Sequence, residues 1–222
     1  MRVTLTFDNG PKPGATEAIL DVLAAYGIRA TFFVIGKCLE NSEARRAAER
    51  AHDEGHWIGN HTFSHEIPLG LDMRPDHVDR EVASVERLLG KLGHPDRYFR
   101  PHGKGKLGPH VLSAEACEYL IQNKCTLVTW NNVPGDWIEP RLEWSRRALQ
   151  NMQGLAWSVL VLHDPHLADI MSTLPAFLDD ALSAGFEFVQ EFPLECLPIL
   201  RGEVLRPLMD LVHDSNSVAG TA

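Results

Sequence analysis

The chain has 222 residues, 44% of them hydrophobic and 23% charged, and its 21 Lys and Arg against 30 Asp and Glu give a formal net charge of −9. That length holds one large domain or two small ones, and the apolar share excludes a wholly disordered chain. No apolar run approaches the roughly 20 residues of a membrane-spanning helix, and an acidic chain without a basic block suits neither a phosphate backbone nor a membrane.

The first residues, Met1 to Phe7, read as a strand rather than a leader, since they hold neither a long apolar region nor a small-residue cleavage site; a cytoplasmic protein is expected. From there, β-branched and apolar runs predict strands at 3–7, 28–35, 56–60, 97–100, 126–131, 158–163 and 186–190. Amphipathic segments near 15–26, 42–54, 76–92, 110–123, 143–153 and 170–184 predict the helices between them. Gly27 stands where a left-handed helix end is wanted, and Ser42 is placed as the cap of the second helix. Strands separated by helices of this length form parallel βαβ units, so a barrel or a doubly wound sheet follows. No linker or repeat interrupts the series, and a single domain is expected. Residues 194–212 are read as a docking helix, with an apolar face available for a homo-oligomer contact, and 213–222 as a frayed tail. Cys38, Cys117, Cys125 and Cys196 show no CxxC spacing and are expected to be free thiols.

Reactive side chains recur just after the strands: Asp8 and Asn9 after the first, His61 and His65 after the third, Arg100 after the fourth, Asp136 after the fifth and His163 at the end of the sixth. In parallel β/α folds the loops at the carboxyl ends of the strands converge on one face. Each piece has an ordinary reading alone. His61-Thr62-Phe63-Ser64-His65 would present two imidazoles on one face of a helical turn for a metal, or be two surface histidines among eleven. Asp8 could be a turn residue, Arg100 a surface charge and Asp136 a loop cap. His163, ending a buried run, needs hydrogen-bond partners.

Taken together, Thr6-Phe7-Asp8-Asn9-Gly10, Asn60 with the His61–His65 run, Arg100-Pro101, Asp136-Trp137 and Val161-Leu162-His163 resemble, in order, the motifs of the polysaccharide deacetylases (carbohydrate esterase family 4, the NodB-homology domain), and Ala30-Thr31-Phe32-Phe33 fits as well. The resemblance covers about residues 1–193 and implies a distorted (β/α)7 barrel followed by a 194–222 extension. It implies Asp8 as general base, His61 and His65 as ligands of a divalent metal, usually zinc with cobalt or nickel as alternatives, and Arg100 as the partner that orients Asp8. It further implies His163 as general acid, tuned by Asp136, and hydrolysis of the N-acetyl group of an amino sugar or its polymer with release of acetate.

Three positions depart from the pattern. Asn9 stands where the family has an aspartate ligand; a neutral amide oxygen is a weaker donor, so reduced or altered metal affinity is expected. His102 stands where the family rarely has histidine, and would contact substrate, supplement the metal shell or simply be a loop residue. Val161 replaces a leucine of the small apolar pocket expected to take the acetyl methyl. Trp130 and Trp137 bracket the loop leading to Asp136 and are candidates to stack on a sugar face. Two other readings stay open: a hydrolase of a small amide, imide or ureide, and a non-catalytic carbohydrate-binding relative with a weakened metal site.

Overall fold

The N-terminal apolar run forms β1 (Arg2–Gly10), the hub of the sheet in a computed structural model that describes residues 1–168 and 171–213. Alternation along this strand puts Val3, Leu5 and Phe7 against the helices and Thr4, Thr6 and Asp8 on the opposite face. The six further expected strands follow: β2 (Thr31–Val34), β3 (Trp57–Asn60), β4 (Tyr98–Phe99), β5 (Thr126–Leu127), β6 (Trp157–His163) and β7 (Glu187–Val189). All seven are parallel, with β6, β1, β2, β3, β4 and β5 side by side. β7 pairs with Arg2–Thr4 of β1 below the point where β2 takes over at Thr6.

Beyond β5 the chain runs on to Asn132, which forms a parallel bridge to Leu160 of β6. Asn132 donates its amide to the Val159 carbonyl at 3.2 Å and accepts from the Val161 amide at 3.0 Å. This contact draws the β5 edge toward β6 and curls the sheet, giving the distorted β/α barrel in one domain that the sequence predicts. Five of its helices span α1 (Ala15–Tyr26), α2 (Ser42–Asp53), α3 (Ser84–Leu89, entered through a π-turn at Asp79–Ala83), α4 (Ala114–Gln122) and α5 (Trp144–Gln153). Two more, α6 (Asp164–Leu167) and α7 (Thr173–Ser183), flank β6 and β7. Ile19, Leu20 and Leu23 of α1, Trp144 of α5 and Phe177 of α7 are fully buried on the outer face of β1. Each such side chain contributes roughly 1.5–3 kcal/mol of burial.

Two expectations are corrected. The cap of α2 is Asn41, one residue before Ser42; its Oδ1 accepts from the amides of Glu43 and Ala44 at 2.8 and 3.1 Å. The segment read as a docking helix is instead a 3-10 turn (Leu194–Cys196) and an antiparallel hairpin, β8 (Ile199–Leu200) and β9 (Glu203–Val204), with β8 added to the edge of β5. Pro198 removes an amide a helix would need, and Arg201 and Gly202 both turn in the left-handed region, at φ 50° and 83°. The expected tail lies, apart from His213, outside the described residues.

Candidate active site

Because β1 and β6 are parallel and in register, Asp8 and His163 are paired positions at the same strand ends. β3 and β4 end on the same rim, delivering His61 and Arg100. The loop after β5 brings Trp130, Asp136 and Trp137. Asp8, Asn9, His61, His65, His102, Trp130, Trp137, Val161 and His163 all line one cleft of about 280 Å³. Arg100 and Asp136, both fully buried, sit behind it.

The Arg100 guanidinium donates to Asp8 Oδ1 at 2.8 Å and to Thr6 Oγ1 at 2.7 Å, while its other terminal nitrogen lies 3.4 Å from the Thr129 carbonyl. Its Cζ lies over the Phe33 ring, 4.0 Å from the centroid. Burial pulls Arg100 below its ordinary value, and the adjacent Asp8 carboxylate opposes that. Asp136 holds His163 twice, Oδ2 accepting from the His163 amide and Oδ1 meeting Nδ1, each at 2.8 Å. Burial alone would lower the His163 pKa; the hydrogen bond and charge of Asp136 outweigh it, and the imidazole titrates above its ordinary value. The site thus holds one carboxylate on a fixed cation and one imidazole on a fixed anion, side by side.

His61 and His65 come together without the expected helical turn. The chain bends through Thr62 and His65, at φ 67° and 57°, and the two rings end 4.7 Å apart. His61 Nδ1 lies 2.8 Å from the Arg100 carbonyl, which can only accept, so the ring proton is on Nδ1 and the Nε2 lone pair faces the cleft. There it meets Asp8 Oδ2 at 3.6 Å, two electron-pair donors with no proton between them. Burial pushes His61 well below its ordinary value and His65 to about 2, so both are neutral imidazoles. Asn9, itself at φ 68°, leaves its Oδ1 buried without a hydrogen-bond partner among the described residues. Among the described residues no group of three or more His, Cys, Asp or Glu side chains is arranged to hold a metal ion. The donors present, two unprotonated imidazoles and an orphaned amide oxygen, nonetheless fit a divalent cation, because each keeps a lone pair unspent.

His102 stacks on His65 with centroids 3.8 Å apart, and its Nδ1 is buried without a partner. Trp137 meets His163 edge-on at 4.9 Å. Sequence reading missed Thr6, Phe33, Lys104 and His166. Thr6 was visible as the polar position two before Asp8 on a period-two strand. His166, three residues after His163 on α6, and Lys104, on the loop after β4, also line the cleft, and neither falls within a motif of the sequence.

The family model for Polysaccharide deacetylase matches residues 1–119. A peptidoglycan-N-acetylglucosamine deacetylase of Bacillus cereus is 30% identical over 193 residues, covering 84% of this chain and 66% of its own length. A chitooligosaccharide deacetylase of Azorhizobium caulinodans is 32% identical over 166 residues, 73% of each chain. Among solved structures, a family 4 acetyl xylan esterase from Clostridium thermocellum in complex with a cobalt ion superposes with a TM-score of 0.67 at 28% identity, covering 85% of this chain and 87% of the other.

Proposed function

The chain belongs to the polysaccharide deacetylase family, and from that premise we propose that it hydrolyses the N-acetyl bond of an amino sugar or its oligomers, releasing acetate. His61, His65 and Asn9 would hold a divalent cation, zinc first; bound there, it would polarise the acetyl carbonyl and lower the pKa of a water. Asp8, oriented by Arg100, takes a proton from the attacking water. His163, protonated on both nitrogens, donates from Nε2 to the departing sugar nitrogen while Asp136 keeps Nδ1–H in place. Val161, 3% exposed at the cleft floor, offers apolar surface to the acetyl methyl, and Trp130, Trp137 and His102 offer ring faces to the sugar.

One observation supports this reading above the others: the Asp8–Arg100 and His163–Asp136 pairs stand on register partners and open into one cleft. A binding module has no use for both a base and an acid. Residues 1–193 form the catalytic unit, to which the β8–β9 hairpin adds an edge. The test is acetate release from chitooligosaccharides, with and without chelator. Chelator-sensitive release that Asp8→Asn and His163→Gln each abolish supports the proposal, and sugar binding without turnover in the metal-loaded enzyme refutes it. No helix among the described residues is long and apolar enough to cross a membrane, and fractionation of native cells tests the expected cytoplasmic location.

A further inference from the structure

The loop that follows β4 builds one wall of the cleft by close approach to two aromatic rings. A Cβ on Gly103 would lie 2.4 Å from Trp130 Cη2, and one on Gly105 would lie 3.4 Å from Trp137 Cζ2. Lys104, between these two contacts, has φ 48°, is exposed and lines the cleft. The position is held by packing on both sides.

The charges around it are otherwise settled. Asp8 is matched by Arg100 and His163 by Asp136. His61, His65 and His102 are kept neutral by burial, the last at a pKa of about 4. Lys104 is the one charge lining the cleft with no ion pair among the described residues, on a chain whose net charge is −9. An acidic protein that sets an unpaired cation at the lip of its reactive cleft favours a negatively charged ligand there by local field. A lone ammonium acts as a single point charge and neutralises the one charge of a carboxylate, whereas a phosphate monoester, at about −1.5 to −2, would be left with excess negative charge.

We infer that Lys104 is a specificity residue that selects N-acylated amino sugars bearing a carboxylate substituent near the scissile amide. The inference rests on the deacetylase reading and narrows its substrate class.

The experiment compares two N-acetylated amino-sugar oligomers that differ only in a carboxylate-bearing ether on the reacting ring. The wild-type enzyme should prefer the carboxylate form by about fivefold or more in kcat/KM at low salt, chiefly through KM, with the preference shrinking as ionic strength rises. Lys104→Met should bring the ratio of the two kcat/KM values to about one, Lys104→Glu should invert it, and Lys104→Arg should retain it. Calorimetric binding of the two matching deacetylated sugars to wild type and Lys104→Met reads the same preference without turnover. Absence of acetate release from both oligomers would then remove the deacetylase reading alone. A wild-type ratio near one, or a ratio that Lys104→Met leaves unchanged, overturns the assignment in either readout.

Discussion

Asp8 and His163 are register partners across the parallel β1–β6 pairing, so the proposed base and acid are fixed relative to each other by backbone hydrogen bonds rather than by loops. Their counter-charges, Arg100 and Asp136, arrive from β4 and from the loop after β5 and are both fully buried. The separation of roles therefore rests on environment: a cation holds the carboxylate, and an anion holds the imidazole.

His163 is active as an acid only while protonated, and Asp136 raises its pKa above the ordinary imidazole value of 6.5. Activity should thus fall as pH rises through that raised pKa. In Asp136→Asn the anion is gone while burial remains, so the alkaline limb of the kcat/KM profile should move to lower pH. The rate at neutral pH should drop by roughly 10²–10⁴-fold, the usual worth of a positioned acid or base. An alkaline limb that stays in place in this variant would show that another group sets it.

Asn9→Asp should strengthen cation binding. Its left-handed backbone, at φ 68°, is one that aspartate tolerates as readily as asparagine, so the change adds charge with little strain. Replacing a neutral oxygen by a carboxylate beside two neutral imidazoles should tighten zinc binding by about tenfold or more. Competition titration against a chromogenic chelator measures this directly, and equal affinity in the two proteins would place Asn9 outside the donor set.

How far the site could be read from sequence depended on which feature positioned each residue. Asp8, Arg100 and His163 were legible because strand periodicity and the carboxyl-end rule fix where a strand delivers its last residue. The His61–His65 pair was legible as chemistry but not as geometry: spacing suggested a helical turn, and the chain instead bends at Thr62 and His65. Lys104 was invisible, since only the contacts of Gly103 and Gly105 with the tryptophans place it at the cleft. The 194–212 segment misled because its leucines recur at helical intervals, whereas Pro198 and the Arg201-Gly202 turn decide for a hairpin.

Gly103→Ala tests the cleft wall. The new methyl would meet the Trp130 ring at 2.4 Å and the Lys106 carbonyl at 2.8 Å, so the loop must shift away from the ring. An overpacked contact of this kind costs about 1–3 kcal/mol. Because the loop carries His102 and Lys104, KM should rise severalfold while the Asp8 and His163 pairs stay in place. Unchanged KM with unchanged Tm would mean that the wall yields without moving its side chains.

Asp164 gives the stability of the barrel a pH dependence of its own. Fully buried behind Gly10, it accepts a hydrogen bond from Thr16 Oγ1 through Oδ2, while Oδ1 has no partner among the described residues. Burial raises its pKa from 3.8 to about 7, against the lowering effects of Thr16 and His163. The folded state therefore keeps a proton that the unfolded chain releases first. Stability from this group is complete below pH 3.8 and declines as pH rises to about 7, then levels off. The span corresponds to on the order of 4 kcal/mol. Asp164→Asn keeps an acceptor for Thr16 and cannot ionise, so its Tm should lose this decline and exceed that of the wild type at pH 8. Parallel Tm-against-pH curves for the two proteins would show that Asp164 does not carry the buried proton.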